Sequence, residues 1–322
     1  MILALAGGVG GAKLAFGLTK ALSPEDLIIA VNTGDDFDHL GLRICPDIDT
    51  VLYTLGKMAN TETGWGQANE TWNFMEALKA IGGDTWFQLG DRDLATHVER
   101  TRRLQAGELL SGITADFAYR FGINHPIVPA TDEPMPTIVN TPDGDLSFQD
   151  YFVRLQCVPT VTGFEFLGAA EAKPSSAISK AFESGQIDAV VICPSNPYVS
   201  IAPILAVPAI SDFIYNSGTP VIVVSPIVGG QAIKGPAAKM MKELGAPPSA
   251  LSIAQHYQDI ANTIVIDTTD SDFTAPIQEL GLEVLVTNTI MNTAEEKTRL
   301  ADDILTFARH RSRMVKLQHK TQ

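Results

Sequence analysis

Short apolar runs recur along the chain, and we predict them to be the strands of one sheet. Each run is bounded by Gly, Pro, Ser or Asn and is continuously apolar instead of alternating, which is typical of parallel strands buried on both faces. Segments of helical periodicity lie between most of the runs, so the pattern indicates a doubly wound, mainly parallel α/β sheet. The predicted strands are Ile2–Ala6, Leu27–Val31, Ala189–Ile192, Val221–Val224, 264–266 and 284–286.

The part of the chain at about 57–185 has a different pattern, and we interpret it as a largely helical insertion that covers the binding edge of the sheet. Helical periodicity is followed there by a Pro-rich passage and short strand-like pieces. No internal repeat or low-complexity linker divides the sequence, so we predict a single α/β domain over 1–322 with helices on both faces of its sheet. The elements predicted in the middle of the chain are helices near 50–57, 68–80, 94–106 and 113–121 and strands around 136–140 and 146–152.

The composition disfavours several classes of partner. The chain has 37 Asp and Glu against 23 Lys and Arg and a net charge of −14, whereas nucleic-acid binding needs a clustered basic face. No apolar run reaches the length of a membrane span, and the first run lacks the basic leader of a signal peptide, so we expect a cytoplasmic protein without nucleic-acid or membrane partners. The three Cys lack the spacing of a zinc or redox motif.

The first predicted strand runs directly into the glycine cluster of "ALAGGVGGAKLA", which a helical pattern follows. Glycines at such a turn let a ligand approach the main chain, and the helix N-terminus favours a phosphate. The cluster lacks the third glycine of the dinucleotide fingerprint and the Gly-Lys-Ser/Thr ending of a P-loop. We predict that Gly8, Gly10, Gly11 and Lys13 bind a phosphate; the alternative is a turn that is glycine-rich for packing alone.

A cluster of acidic residues follows the second predicted strand, in "VNTGDDFDHLGLRICPDIDT". Carboxylates so close repel one another unless they are solvated or bridged by a cation, and beside a phosphate site they suit Mg²⁺. The alternative is a solvated loop in which Asp47 or Asp49 caps a helix that begins near residue 50. Because the loop leaves the same sheet edge as the glycine turn, we predict that Asp35, Asp36 and Asp49 bind Mg²⁺ and act in catalysis.

The segment "GDRDLATHVER" places polar residues at the start of a predicted helix. Asp93 is a favoured N-cap, and His97, four positions later, lies on the same helix face. An arginine in such a segment can hold a phosphate through two hydrogen bonds. We predict that Asp91, Arg92, Asp93 and His97 bind substrate; charge pairs on a surface helix are the alternative.

Two further polar turns follow predicted strands, in "CPSNPYVSIAPIL" and "VSPIVGGQAIKGPAAKMM". Ligands of such sheets bind beyond the carboxyl ends of the strands, so we predict that Ser195, Asn196, Ser225 and Lys234 contact a ligand. Pro236 is expected at the first position of the next helix. The sequence has no Gly-x-Ser-x-Gly motif and no Cys with an obvious base, which favours direct transfer to a bound acceptor over covalent catalysis.

These blocks resemble the 2-phospho-L-lactate transferase family of coenzyme F(420) biosynthesis. The resemblance rests on "GGVGGAKLA", "NTGDDFDHLGLRICPDIDTVLYTLG", "WFQLGDRDLATHVERTRRLQAG", "LSFQDYFVRLQC" and the two later turns, which appear in family order. It implies a Rossmann-like homodimer that needs Mg²⁺, joins the phosphoacid of a guanosine-diphospho-linked donor to the ribityl hydroxyl of the deazaflavin FO, and releases GMP. By motif, Asp49 and Gln88 correspond to FO-binding positions, the second of which is Lys in the family. The resemblance also implies that the glycine turn, "CPSNP" and the Lys234 loop hold the guanine nucleotide.

Two other classes remain as alternatives to this transferase. A nucleotide-sugar-binding regulator of a related family would keep the glycine turn but not the features tied to the deazaflavin, such as "PDIDTVLY" and "GDRDLATH". A nicotinamide-dependent dehydrogenase is disfavoured by the incomplete glycine fingerprint and by Asn32, which stands where an acidic residue should end the second strand. Phospholactate, phosphoenolpyruvate and 3-phosphoglycerate all remain open as the transferred acid. If Asp49 is catalytic, Asp49→Ala should abolish turnover and leave the fold intact.

Overall fold

Alternating strands and helices make up most of the chain, of which the computed structural model describes residues 1–60 and 64–318, with side chains up to residue 309. Within these residues the strands are β1 (Ile2–Ala6), β2 (Leu27–Val31), β3 (Phe37–His39), β4 (Leu42–Ile44), β5 (Ile127–Pro129), β6 (Thr137–Asn140), β7 (Leu146–Ser147), β8 (Gly163–Phe166), β9 (Ala189–Ile192), β10 (Val221–Val224), β11 (Ile227–Val228), β12 (Gln231–Ala232), β13 (Thr263–Asp267) and β14 (Glu283–Thr287). The α-helices are α1 (Gly8–Ala21), α2 (Pro46–Leu55), α3 (Asn73–Ala80), α4 (Asp91–Gln105), α5 (Leu110–Arg120), α6 (Ser176–Ser184), α7 (Ala202–Leu205), α8 (Pro208–Asn216), α9 (Ala237–Glu243), α10 (Ala250–Tyr257), α11 (Thr274–Glu279) and α12 (Ala294–Gln318).

A central sheet of seven parallel strands organises the molecule, in the order β14-β13-β10-β9-β1-β2-β5. From β1 the chain builds outward through β2 to β5, and then builds in the opposite direction from β9 to β14. The direction changes between β1 and β9, where Leu5 lies beside Ile192. Ligands of open α/β sheets bind at such a switch point, beyond the carboxyl ends of the strands.

The predicted doubly wound, parallel α/β sheet is confirmed. The six apolar runs predicted as sheet strands all belong to the central sheet, and the last two are longer than predicted by one residue at each end. The strand predicted around 136–140 is β6, which lies in a separate three-stranded sheet with β7 and β8. The edge strand β5 is not among the predicted strands, because it has only three residues, ends in Pro129, and lies in the region interpreted as an insertion. That region therefore contributes to the sheet itself.

Helices cover both faces of the sheet, as predicted, because side chains alternate between two cores along each strand. In β1, Ala4 and Ala6 enter a core that also contains residues of α1, α2, α5 and α12. Leu3 and Leu5 enter a second core with residues of α6, α8, α10 and α11. The site at the strand ends is thus held by elements that are packed on both sides.

Two elements of the middle region are shorter than predicted. The helix expected over 68–80 is only Asn73–Ala80. The strand expected around 146–152 ends at Ser147, and the following segment, Asp150–Arg154, is helical. Residues 148 and 151 are three positions apart and pack into the same cluster, which requires a helical rather than an extended backbone.

The observed starts of α2 and α9 differ from the predicted ones. α2 begins at Pro46, because the fixed φ of proline suits the first helical position. Asp47 and Asp49 therefore lie in its first turn, and neither is the N-cap. α9 begins at Ala237, so Pro236 precedes the helix instead of opening it.

Among the described residues, no single helix combines the length and the hydropathy of a membrane span. One bent pair, Pro197–Leu205 and Pro208–Asn216, passes the same test by length and composition, with an angle of 87° between the two helices. The single domain and the cytoplasmic location stay predictions.

Candidate active site

A cavity of about 630 Å³ lies beyond the carboxyl ends of β1, β2, β9 and β10, at the switch point of the sheet. Its volume is typical of small-molecule sites. The glycine turn, the acidic loop and the two later turns all contribute to its wall, so the structure brings together segments that are far apart in sequence. The predicted site residues that line it are Gly8, Gly10, Lys13, Asp35, Gln88, Ser195, Asn196, Ser225 and Lys234.

The glycine turn is in close contact with the turn that follows β9. A Cβ at Gly10 would lie 2.1 Å from the carbonyl oxygen of Pro194, and a Cβ at Gly11 would lie 2.5 Å from Ser195 Oγ. Gly11 does not line the cavity. The packing alternative therefore accounts for Gly11, whereas Gly10 both packs against the neighbouring turn and forms cavity wall.

The Gly10→Ala variant is expected to lose about 1–3 kcal/mol of stability, the typical cost of overpacking, together with nucleotide affinity. The matched control is Gly112→Ala in α5, where an added Cβ meets nothing within 4 Å. That helical glycine should tolerate alanine and gain up to about 1 kcal/mol. Urea unfolding of both variants measures the difference, and equal stabilities would contradict the close contact.

The polar side chains of the two later turns shape the turns themselves. Ser195 Oγ accepts the N–H of Gly7 at 3.2 Å, and Asn196 Oδ1 accepts the N–H two residues later at 3.0 Å. Ser225 Oγ donates to the carbonyl oxygen of Ile227 at 3.0 Å and accepts the N–H of the same residue at 3.2 Å. These side chains fix the backbone that faces the cavity, so we expect ligand contacts there to come mainly from main-chain groups.

The carboxylates of Asp35 and Asp47 are joined through Asn32 at the end of β2. Asn32 Nδ2 donates to Asp47 Oδ2 at 2.9 Å and to Asp35 Oδ1 at 3.3 Å. Asp47 Oδ1 accepts the N–H of Gly8 at 2.6 Å, which ties the first turn of α2 to the glycine turn. Both carboxylates line the cavity although each residue is almost fully buried.

Burial disfavours the charged form of these acids. It raises the pKa of Asp35 well above its usual value, and the neighbouring carboxylates of Asp47 and Asp36 raise it further. Burial also raises the pKa of Asp47 to about 6, against the hydrogen bonds that it accepts from Asn32 and Gly8. The pKa of Asp36 rises to about 7 for the same reason, although Arg43 and the Cys45 thiol oppose the rise.

The acids of this cluster fit a magnesium ion. Asp35 and Asp47 offer carboxylate oxygens to the cavity, and these hard oxygen ligands are the kind that Mg²⁺ prefers. Behind them, neither carboxylate oxygen of Asp36 has a nitrogen or oxygen donor among the described residues. A divalent cation would compensate buried negative charge that the protein leaves without an ion pair here.

Asp49 lies behind the cavity wall and not in it, contrary to the position that its predicted roles require. Its two oxygens pair with Arg100 of α4: Asp49 Oδ2 accepts from Nη1 at 3.0 Å, and Oδ1 accepts from Nη2. Arg100 is 1% exposed. Asp49 and Asp47 are two positions apart in one helical turn and therefore point to opposite sides of α2. Of these two acids only Asp47 lines the cavity, and the metal-binding and catalytic roles predicted for Asp49 stay predictions.

Asp93 and His97 of α4 extend this buried network instead of lining the cavity. The helix begins at Asp91, so Asp93 lies inside the first turn and is not its N-cap. Asp93 Oδ1 accepts from the hydroxyl of Tyr53 at 2.6 Å and lies 3.3 Å from His97 Nε2. Asp49, Asp93 and His97 offer ligand atoms within 4.8 Å of one another, but the guanidinium beside them already supplies a positive charge.

Asp91 and Arg92 also lie outside the cavity wall. Asp91 Oδ2 accepts from the hydroxyl of Thr71 at 2.5 Å, and its two oxygens accept the first N–H groups of α3. The Thr71 bond and those N–H groups lower the pKa of Asp91 to about 2. Arg92 donates from Nη1 to the carbonyl oxygen of Ala68 at 3.4 Å. Asp91 and Arg92 therefore contact the segment that leads into α3 and the start of α3 itself. These contacts offer a structural role as the alternative to the predicted substrate binding.

One end of the cavity has aromatic walls that the sequence analysis missed. Trp86 and Phe87 line one side, and Phe148 and Phe152 line another, with their rings stacked at 5.3 Å and 11°. The guanidinium of Arg154 lies 4.8 Å from the centre of the Trp86 ring and bridges the two segments. The signal in the sequence is the helical spacing of the two phenylalanines in "FQDYF". Such walls suit a flat, conjugated ligand.

Two lysines line the part of the cavity beside the glycine turn. Lys13 extends from α1, and Lys234 lies in the loop before α9. Burial lowers the pKa of Lys13, and the positive charges of Lys297 and Lys234 lower it further. Cations held near one another in this way are stabilised by a bound polyanion, as the diphosphate of a nucleotide would provide.

Comparisons with known proteins agree with this arrangement. The family described as 2-phospho-L-lactate transferase CofD matches residues 2–300. The phosphoenolpyruvate transferase of Streptomyces coelicolor is 39% identical over 313 residues, which cover 95% of this chain and 98% of the relative. The 2-phospho-L-lactate transferase of Methanocaldococcus jannaschii is 38% identical over 311 residues, with coverage of 95% and 98%.

A solved structure supports the fold. A UPF0052 family protein from Bacillus halodurans superposes with a TM-score of 0.61 over 94% of this chain and 98% of its own, at 14% identity. At that identity the likeness concerns the fold alone. The family match and the two relatives, by contrast, span almost the whole sequence. The chain therefore belongs to the 2-phospho-L-lactate transferase CofD family, a family of transferases in coenzyme F(420) biosynthesis.

Proposed function

We propose that this chain transfers the phosphoacid moiety of a guanosine-diphospho-linked donor to the ribityl hydroxyl of FO, with Mg²⁺ bound and with release of GMP. Family membership supports a phosphoester transferase. The relatives named for phosphoenolpyruvate and for phospholactate transfer support either acid as the moiety that is moved. Their similar identities to this chain leave the choice between the acids to experiment.

The observation that carries the proposal is the composition of one cavity. Lys13 and Lys234 suit the phosphates of a nucleotide donor, and Asp35 and Asp47 suit a divalent cation. The aromatic end suits the ring system of a deazaflavin acceptor, because flat conjugated ligands stack on aromatic side chains. A donor on the lysines and an acceptor on the aromatic side chains would thus share one cavity whose wall also holds Asp35 and Asp47.

Transfer by this arrangement requires positioning and charge neutralisation. The hydroxyl oxygen of FO attacks the phosphorus next to the acid, the bond from that phosphorus to the bridging oxygen breaks, and the bridging oxygen leaves with GMP. The proton of the attacking hydroxyl passes to solvent. Lys13 and Lys234 would offset the charge of the donor phosphates. Asp35 and Asp47 would hold Mg²⁺, which when bound neutralises charge on the reacting phosphoryl group. Asp36 stands behind these two acids.

The direct test mixes purified protein with FO, Mg²⁺ and each guanosine-linked phosphoacid in turn, and identifies the product by mass. The expected product is a phosphodiester of FO and one of the acids, with one GMP released per product. Nucleotide binding without transfer from any donor would favour the regulator class instead. Transfer that persists in excess chelator would contradict the magnesium proposal.

The stabilisation of the protein by Mg²⁺ is expected to depend on pH. The pKa of Asp47 is raised to about 6 and that of Asp36 to about 7 in the folded state, above the value of 3.8 for an ordinary Asp. The folded protein therefore binds protons more tightly than the unfolded chain. In chelator, stability should fall as the pH rises from about 4 to about 7.

Mg²⁺ competes with those protons, so the rise in Tm that it produces should grow over the same pH range. Thermal unfolding in chelator and in excess Mg²⁺ at several pH values measures both effects. If Mg²⁺ raises the Tm by the same amount at about pH 5 and at about pH 7.5, these buried acids do not bind the ion.

A further inference from the structure

A strained turn lies in the wall of the cavity, after the helical segment Asp150–Arg154. Gln156 has φ +49° and Cys157 has φ +56°, and the N–H of Val158 donates to the carbonyl oxygen of Leu155 at 2.9 Å. Positive φ at both central positions is the pattern of a type I′ turn, which strongly favours Asn-Gly or Gly-Gly. Here neither residue is glycine, so the backbone of both is strained.

The surrounding structure holds this turn in place. The N–H of Cys157 donates to the carbonyl oxygen of Tyr151 at 2.8 Å. Tyr151 is 0% exposed, and Lys239 Nζ lies 3.4 Å from its hydroxyl. Strain of this kind persists only where the environment enforces it, and it concentrates at functional sites. Glycine at these positions would remove the strain, so retention of a side chain here suggests that the side chain has a function.

Gln156 is the residue of this turn that lines the cavity. Three glutamines line the cavity: Gln88, Gln149 and Gln156. Gln88 Nε2 donates to a backbone carbonyl oxygen at 2.7 Å, and Gln149 Nε2 donates to that of Asp35 at 3.0 Å. The amide of Gln156 makes no hydrogen bond to any residue that the structure describes. Its donor and its acceptor are both available to a ligand.

We propose that Gln156 determines how the acceptor is held, by pairing its side-chain amide with the edge of a flat heteroaromatic ring that carries a carbonyl oxygen next to an N–H. An amide matches such an edge because it donates one hydrogen bond and accepts another. Phe152, four positions earlier, stacks with Phe148 in the same wall and would contact the face of the ring. This inference rests on the proposed function, which assigns a deazaflavin to the aromatic end.

The test compares Gln156→Gly with Cys157→Gly. Both variants relieve one strained φ, so Gln156→Gly should unfold at a Tm equal to or above that of the wild type. Cys157→Gly also loses the packing of its half-buried thiol against the cluster of Phe148 and Tyr151, so its Tm should stay close to that of the wild type. Only Gln156→Gly removes the amide, and it should raise the KM for FO and the Kd for FO by about tenfold, the value of one or two hydrogen bonds. The KM of the donor should not change. Cys157→Gly should keep the wild-type KM for FO, and Gln156→Asn, which tolerates positive φ, should restore part of the affinity.

Steady-state kinetics with both substrates and calorimetric titration with FO measure these values. A Gln156→Gly variant that binds FO like the wild type would overturn the proposal, as would equal losses in the two glycine variants, which would point to the turn and not to the amide. Wild-type protein that binds FO but transfers nothing would refute the proposed function and leave the binding comparison valid. Wild-type protein that does not bind FO would overturn both.

Discussion

Replacing Arg100 with methionine is expected to lower the free energy of unfolding by about 3–5 kcal/mol, the typical cost of removing one partner from a buried ion pair. Arg100 is 1% exposed and pairs with both oxygens of Asp49. The variant would therefore leave a buried carboxylate without its cation. Equilibrium unfolding in urea measures the change, as a lower midpoint with the same slope.

A matched control lies on the same helix. Arg102 pairs with Glu99, but 64% of its side chain is exposed, so Arg102→Met should leave the stability unchanged. Removing both charges of the buried pair, in the double variant Asp49→Leu with Arg100→Met, should recover much of the loss. An Arg100→Met variant that is as stable as the wild type would show that the pair does not support the fold.

The same pair changes the expectation for Asp49. The sequence alone predicts that Asp49→Ala abolishes turnover and leaves the fold intact. In the structure this variant would strand the guanidinium of Arg100 in the interior, so we expect it to be destabilised along with any loss of activity. Activity of the variant is therefore informative only at a temperature where the protein is shown to be folded.

The second large effect concerns Asp47. The Asp47→Asn variant should lose about a hundredfold in kcat/KM, because it removes a charge from the place where a cation and a reacting phosphoryl group would meet. Asparagine has the same shape and keeps an oxygen that can accept the N–H of Gly8, but its Nδ2 would face Asn32 Nδ2, a donor that Asp47 Oδ2 now accepts. The fold should therefore persist at a cost of about 1–3 kcal/mol, which thermal unfolding of the variant measures. Steady-state kinetics at several Mg²⁺ concentrations measure the loss, which excess Mg²⁺ should partly reverse.

Asp38→Asn is the control for this variant, because Asp38 lies in the same acidic loop but its side chain is 72% exposed. It should keep wild-type kinetics. If Asp47→Asn retains full activity at low Mg²⁺, the proposed ligand set is wrong. If Asp38→Asn loses as much activity as Asp47→Asn, the effect comes from the general charge of the loop and not from a specific ligand.

Much of the fold follows from local patterns. The predicted strands of the central sheet are continuous apolar runs. Such runs are easy to recognise, because a strand that is buried on both faces is apolar at every position. β5 was not predicted, because a strand of three residues that ends in a proline shows almost no periodic pattern. The segment Asp150–Arg154 escapes because its apolar positions suit a strand or a short helix until the packing partners are known.

The sequence by itself determined the α/β sheet, the meeting of the glycine turn with the acidic and later polar turns, and the family. These follow from local periodicity and from the rule that parallel strands end at one edge. Only the tertiary structure decided which of these acids lines the cavity. Asp47 and Asp49 are equivalent in a one-dimensional reading, but they point about 200° apart around α2. Asp49 forms an ion pair with Arg100, a buried residue 51 positions further along the chain. Asp47 accepts hydrogen bonds from Gly8 and Asn32, which hold its carboxylate at the cavity.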